Sequence, residues 1–171
     1  AHRDILASAL ANRGVVLVDL GRIEEAVAVW VTVEQRFGGD PELADPVAAA
    51  QFNAGLVLAQ SGRVTEATVL WDRLVDADSA PPLRVAPALH NKATTLNRVG
   101  DYEAAIRAAE LVIQRFDPEL TGEVASAMLS RGIGLVRMRR VQEAIDAWEV
   151  ARQRFGDDPQ CAESLVKVLS N

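Results

Sequence analysis

The side chains of this sequence that could do chemistry recur at fixed intervals. Asn12, Asn53 and Asn91 are followed at the same interval by Ser130 and, at the end, by Asn171. An asparagine amide both donates and accepts hydrogen bonds, so it can pair with the backbone of an extended peptide whatever that peptide's side chains are. The same amides could instead bond the backbone of a neighbouring helix, and both roles stand on the sequence. Carboxylates recur as Glu24 and Glu25, Glu66 and Glu143. As paired acids they would suggest proton transfer, but acids in a helix's first turn are stabilised by the macrodipole, which is the preferred reading. Trp30, Trp71 and Trp148 could stack on bases or sugars, yet their register assigns them to a packing stripe. Arg131, Arg137, Arg139 and Arg140 form the one basic cluster. It suits an acidic peptide or phosphate, or more simply a solvated face.

Catalytic patterns are missing. His2 and His90 lie far apart, Cys161 is the only cysteine, and no H-E-x-x-H, G-x-S-x-G or phosphate-loop pattern occurs. Gly132-Ile133-Gly134 lacks the third glycine and the preceding strand of a dinucleotide fingerprint. No catalytic residue, cofactor or metal is therefore expected. Eighteen basic against twenty-four acidic residues give a net charge of −6, the wrong sign for nucleic acid, whose binding draws on cations that neutralise phosphates. The longest uncharged stretch, from Pro46 to Gly62, is too short and polar for a bilayer. No membrane partner and a cytoplasmic location follow as expectations. Two further expectations rest on the chain's start and its arginine preference. It begins without Met, as a piece of a longer protein would, and sixteen of its eighteen basic residues are arginine, with only Lys92 and Lys167 as lysines, as in a GC-rich bacterium.

The elements that must carry these residues follow from an internal repeat. LGRIEEAVAVW from Leu20, SGRVTEATVLW from Ser61, VGDYEAAIRAA from Val99 and MRRVQEAIDAW from Met138 align on Gly21, Gly62, Gly100 and Arg139, at spacings of 41, 38 and 39. Five residues on lie Ala26, Ala67, Ala105 and Ala144; nine on lie Trp30, Trp71, Ala109 and Trp148. Sixteen on lie Phe37, Asp78, Phe116 and Phe155, and seven before lie Gly14, Gly55, Ala93 and Gly132. Apolar residues three and four apart on both sides of each pivot predict two helices around a short turn. The small residues are expected where the two helices cross. Asp-Pro and Pro-Pro pairs mark the turns between units, and Asp before Pro reads as a helix start.

A small residue, then G-x-[hydrophobic]-x-E-A, then a bulky residue, with proline between units, resembles the tetratricopeptide repeat over about residues 5–155. The resemblance implies an all-α, right-handed α-solenoid of four helix-turn-helix hairpins plus a C-terminal helix. On it, residues 1–171 form a single solenoid domain with repeats near 5–40, 46–80, 83–117 and 123–156. Residues 160–171 are then a capping helix or a truncated fifth repeat. The spacing exceeds the usual value of about 34, implying a longer second helix and inter-unit loop. The family's first helices line a concave groove, which implies that Asn12, Asn53, Asn91 and Ser130 face it. Val15, Leu56, Thr94 and Ile133 would stand beside them, with Asp19, Gln60, Arg98 and Arg137 a turn later. Members that grip a terminal carboxylate use five clamp positions, here Ala11, Val15, Asn53, Pro87 and Asn91; only Asn53 fits, so a chaperone-tail adaptor is not expected. The expected function is a non-catalytic module binding a protein or peptide in the groove. The alternative is a structural, self-associating or sensor portion of a larger bacterial protein.

Overall fold

A computed structural model of the chain describes residues 2–156. Eight α-helices account for nearly all of them: α1 (His2–Asp19), α2 (Ile23–Phe37), α3 (Ala44–Gln60), α4 (Val64–Asp76), α5 (Pro82–Val99), α6 (Tyr102–Phe116), α7 (Thr121–Arg137) and α8 (Val141–Phe155). A single 3-10 turn, Pro41–Leu43, precedes α3, and no strand occurs among the described residues. The fold is all-α, of the α-solenoid class, with consecutive helices packed as hairpins. Residues 160–171, with Cys161 and Asn171, lie outside the described residues. The chain forms two compact units, Ala1–Ala88 and Leu89–Asn171. In the first, α2 packs on α1, α3 on both, and α4 on α3. In the second, α6 packs on α7 and α7 on α8.

Each hairpin turns the same way because four backbone motifs repeat in register. Gly21, Gly62 and Gly100 take φ of 72°, 80° and 89°, the left-handed region that glycine enters without a Cβ clash. The next residue's N–H then reaches back five residues to a leucine carbonyl: Arg22 to Leu17, Arg63 to Leu58, Asp101 to Leu96 and Arg140 to Leu135, at 2.8–3.0 Å. Together with the bond from each pivot N–H to the carbonyl three residues back, this is a Schellman ending, which satisfies carbonyls that a helix end leaves open. The four leucines are all buried. Arg139 fills the pivot of the fourth turn at φ 61°, a conformation that costs an L-residue with a Cβ about 1–2 kcal/mol. Arg139→Gly is therefore expected to stabilise the protein by about 0.5–1 kcal/mol, the relief less the extra unfolded-state freedom of glycine. A urea unfolding midpoint that stays or falls would refute it.

The recurring first-turn acids have a partner the repeat pattern did not disclose. Arg22, Arg63 and Arg140 each grip the carboxylate three residues on, Glu25, Glu66 and Glu143, through two nitrogens at 2.6–2.7 Å. These hydrogen bonds hold all three carboxyls below the usual carboxylate range. In the third hairpin Asp101 takes the arginine's place and accepts from the N–H of Ala104 at 3.1 Å, capping α6.

The repeat spacing is carried by the first helix of each pair, at 17 or 18 residues, rather than by a longer second helix, which has 13 to 15. The shortest second helix is α4, where Asp78 stands in an exposed turn in place of the buried Phe37, Phe116 and Phe155 that close the other three. Between units, Asp40 caps the 3-10 turn. Asp45 does not cap a helix: it lies within the first turn of α3 and pairs with Arg84 at 2.9 Å. Asp117 likewise follows α6 rather than starting α7, and its carboxylate is held by Arg154 at 2.6 Å.

Candidate functional site

Three of the hairpins share one cross-helix device at their floor. The indole N–H of Trp30 donates to the carbonyl of Ala11 at 2.9 Å, that of Trp71 to Phe52 at 3.3 Å, and that of Trp148 to Leu129 at 3.4 Å. Each carbonyl lies nineteen residues before its tryptophan and belongs to the residue just before the ladder position. The ring then covers the glycine three residues further along the first helix. A Cβ added at Gly14, Gly55 or Gly132 would overlap the indole of Trp30, Trp71 or Trp148. The third hairpin has Ala93 and Ala109 at these two places, both fully buried: where the ring is missing, a methyl returns. The tryptophans are thus packing residues. The small residue at the Gly14 position faces the tryptophan of the second helix.

With the positions before the ladder turned toward the second helices, the ladder stands at the edge of the packed floor. In the first unit Asn12 is exposed on α1 and Asn53 is half-buried on α3, and these two helices pack against each other. Among the described residues neither amide makes a side-chain hydrogen bond. One turn along each helix stand Val15, exposed, and Leu56, half-buried. In the second unit Asn91 is half-buried and Thr94 exposed on α5, while Ser130 of α7 is buried and Ile133 exposed. Ser130 thus does not present the open amide position that Asn12 does. Its own carbonyl accepts from Asn97 Nδ2 at 3.1 Å. Arg98 and Arg137, like Asp19 and Gln60, are exposed near the C-terminal ends of their helices.

Two polar groups on α5 were not legible as special from the sequence. Among the described residues the Oδ1 of Asn97 and the Nδ1 of His90 are buried without a hydrogen-bond partner. Burial lowers the imidazole's proton affinity below its usual range, opposed by the carboxylate of Glu123. They lie seven residues apart, hence on one side of the helix. The only sequence signal is that His90 and Asn97 replace apolar residues at their repeat positions. The second unit also holds a groove of about 500 Å³ over α7, between α6 and α8, lined by Ile113, Met128, Ala147 and Val150 with Glu110, Arg131 and Asp146 at its edge. Arg131 is bound there to Glu110 at 3.0 Å. No cluster of three metal-binding side chains occurs among the described residues, and no described helix is long and apolar enough to cross a membrane.

Comparison with known proteins agrees with this geometry. The tetratricopeptide repeat profile matches residues 11–82 and 90–159. No curated protein matches the sequence. Among solved structures, the chain is similar to nearly identical TPR-like repeats from a Podosopora anserina protein assigned as a kinesin light chain. Two such structures are 17% identical, with TM-scores of 0.72 and 0.71, covering 99% of this chain and 87% and 88% of theirs. A double mutant of MamA, designated RS-1 ArsTM, is 18% identical with a TM-score of 0.63, covering 99% of this chain and 94% of that one. At these identities the likeness concerns the fold.

Proposed function

The chain belongs to the tetratricopeptide repeat family, and from that premise we propose that it is a non-catalytic interaction module holding a peptide or protein segment against the first helices of its hairpins. Repeats of this family generally mediate protein–protein contacts. The observation that carries the reading is the pair Asn12 and Asn53: equivalent positions on two packed helices, each amide without a hydrogen bond among the described residues, each with an apolar neighbour one turn on. Such amides can bond a bound segment's backbone, and Val15 and Leu56 can take its apolar side chains. Asn91, Thr94 and Arg98 on α5, and Ser130 and Arg137 on α7, occupy the corresponding places in the second unit.

The experiment is selection from a display library of short unstructured peptides, followed by titration of the selected peptides. Asn12→Ala with Asn53→Ala is expected to weaken binding by about tenfold per asparagine, the loss of one hydrogen bond near 1.4 kcal/mol each. The melting temperature should stay unchanged, since neither amide bonds any of the described residues. Binding equal to that of the parent removes the ladder from the contact surface, and a double variant that unfolds makes the asparagines structural.

A further inference from the structure

We propose that a second copy of this chain docks its α1 on the outer face of α8, so that copies associate head to tail. The inference goes beyond peptide binding and does not depend on it. It starts from register. Ile5, Leu6, Ala9 and Val16 of α1 correspond to Pro46, Val47, Ala50 and Val57 of α3. These four α3 residues are all buried, and α3 packs on α1 and α2 as well as on α4. Their α1 counterparts are bare, Ile5 at 67% and Val16 at 56% exposure. The other face is a second helix. Ile145 of α8 is 50% exposed, whereas its counterpart Ile106 on α6, the helix that α7 packs against, is 7% exposed.

The packed pair α6 and α7 shows what a first helix brings to such a face. Gly134 lies against Ile106, so close that an added Cβ would stand 2.9 Å from its Cγ1. Arg131 donates to Glu110 at 3.0 Å. Carried to α1 and α8 in repeat register, Gly134 becomes Val16 and Ile106 becomes Ile145; Arg131 becomes Arg13 and Glu110 becomes Glu149. The ion pair carries over with the same polarity. At the apolar place Val16 brings a side chain that position 134 has no room for, so α1 must stand farther from α8 there than α7 does from α6; α3 seats a valine at this place, the buried Val57. Arg13 is exposed and makes no ion pair among the described residues. Glu149 bonds Arg152 and Gln153 of its own helix, and a carboxylate's remaining lone pairs can take a further donor. Because the two faces differ, the contact is heterologous, and copies add in one direction until the rotation closes a ring or runs on as a filament.

Sedimentation velocity of the 171-residue chain over a concentration series tests this. The weight-average sedimentation coefficient should rise with concentration. Arg13→Glu or Glu149→Arg alone should weaken association about tenfold, and the two together should restore it. Val16→Glu and Ile145→Arg should each be monomeric, with unchanged melting temperature because both positions are exposed. Mixed together they should form dimers and nothing larger, since one keeps only its α8 face and the other only its α1 face. A monomer at every concentration overturns the proposal, leaving both faces to hairpins from another source. Association that ignores these variants, or a mixture that stays monomeric, overturns it equally.

Discussion

Gly55→Ala is expected to destabilise the protein by about 1–3 kcal/mol, although alanine is the better helix former by about 1 kcal/mol. The reason is the ring over it. Trp71 is fully buried with its N–H on the carbonyl of Phe52, and a methyl at position 55 would need the space of the indole's five-membered ring. A rigid, hydrogen-bonded ring in a close-packed floor cannot yield as a flexible side chain would. Trp71→Ala is expected to cost about 3–5 kcal/mol by leaving a cavity. The informative variant is the double one. With the ring gone, Gly55→Ala puts a methyl into the void and regains helix propensity, so the same substitution should then stabilise by about 1 kcal/mol. The third hairpin already carries this combination as Ala93 and Ala109. Urea unfolding of the four proteins checks it: equal costs for Gly55→Ala with and without Trp71 would show that the clash lies elsewhere.

A contrast inside α7 has the next largest expected effect. Gly134→Val should cost about 2–3 kcal/mol, because even its Cβ would meet Ile106 Cγ1 at 2.9 Å and Asn97 Oδ1 at 3.2 Å. Gly122→Ala in the same helix should stabilise by about 0.4–1 kcal/mol, since position 122 is exposed and an added Cβ there meets nothing within 4 Å. Adding Ile106→Ala to Gly134→Val should recover part of the loss if Ile106 is the obstacle. Identical effects of the two glycine substitutions in thermal unfolding would mean that helix propensity, not packing, governs both.

These variants also mark where reading the chain stops. The Gly-Ile-Gly of α7 is two unrelated packing solutions in succession: Gly132 lies under Trp148, and Gly134 lies against α6 and Asn97. Sequence pattern dismissed a dinucleotide fingerprint there but offered no replacement, because neither partner is near in the chain. The acids at Glu25, Glu66 and Glu143 were expected as first-turn residues. That the residue three before each is the arginine gripping it depended on side-chain geometry at the turn. Within the ladder, repeat position alone treats Asn12 and Ser130 alike. Their exposure differs because α1 leaves its ladder face open whereas α7 is packed on by α6, α8 and Asn97.

By itself the sequence determined the helices, their pairing into hairpins and the register of the repeat. Those follow from local quantities: apolar residues at three- and four-residue spacing and a recurring glycine pivot that ends the first helix. It also determined the family. Only the tertiary structure decided which side chains meet across helices: tryptophan over glycine, an Asn97 amide whose nitrogen is bonded and whose oxygen is not, a bare α1 opposite in character to a buried α3. Such meetings depend on rotamers and on the angle at which helices cross, and those are fixed by packing volume rather than by spacing along the chain.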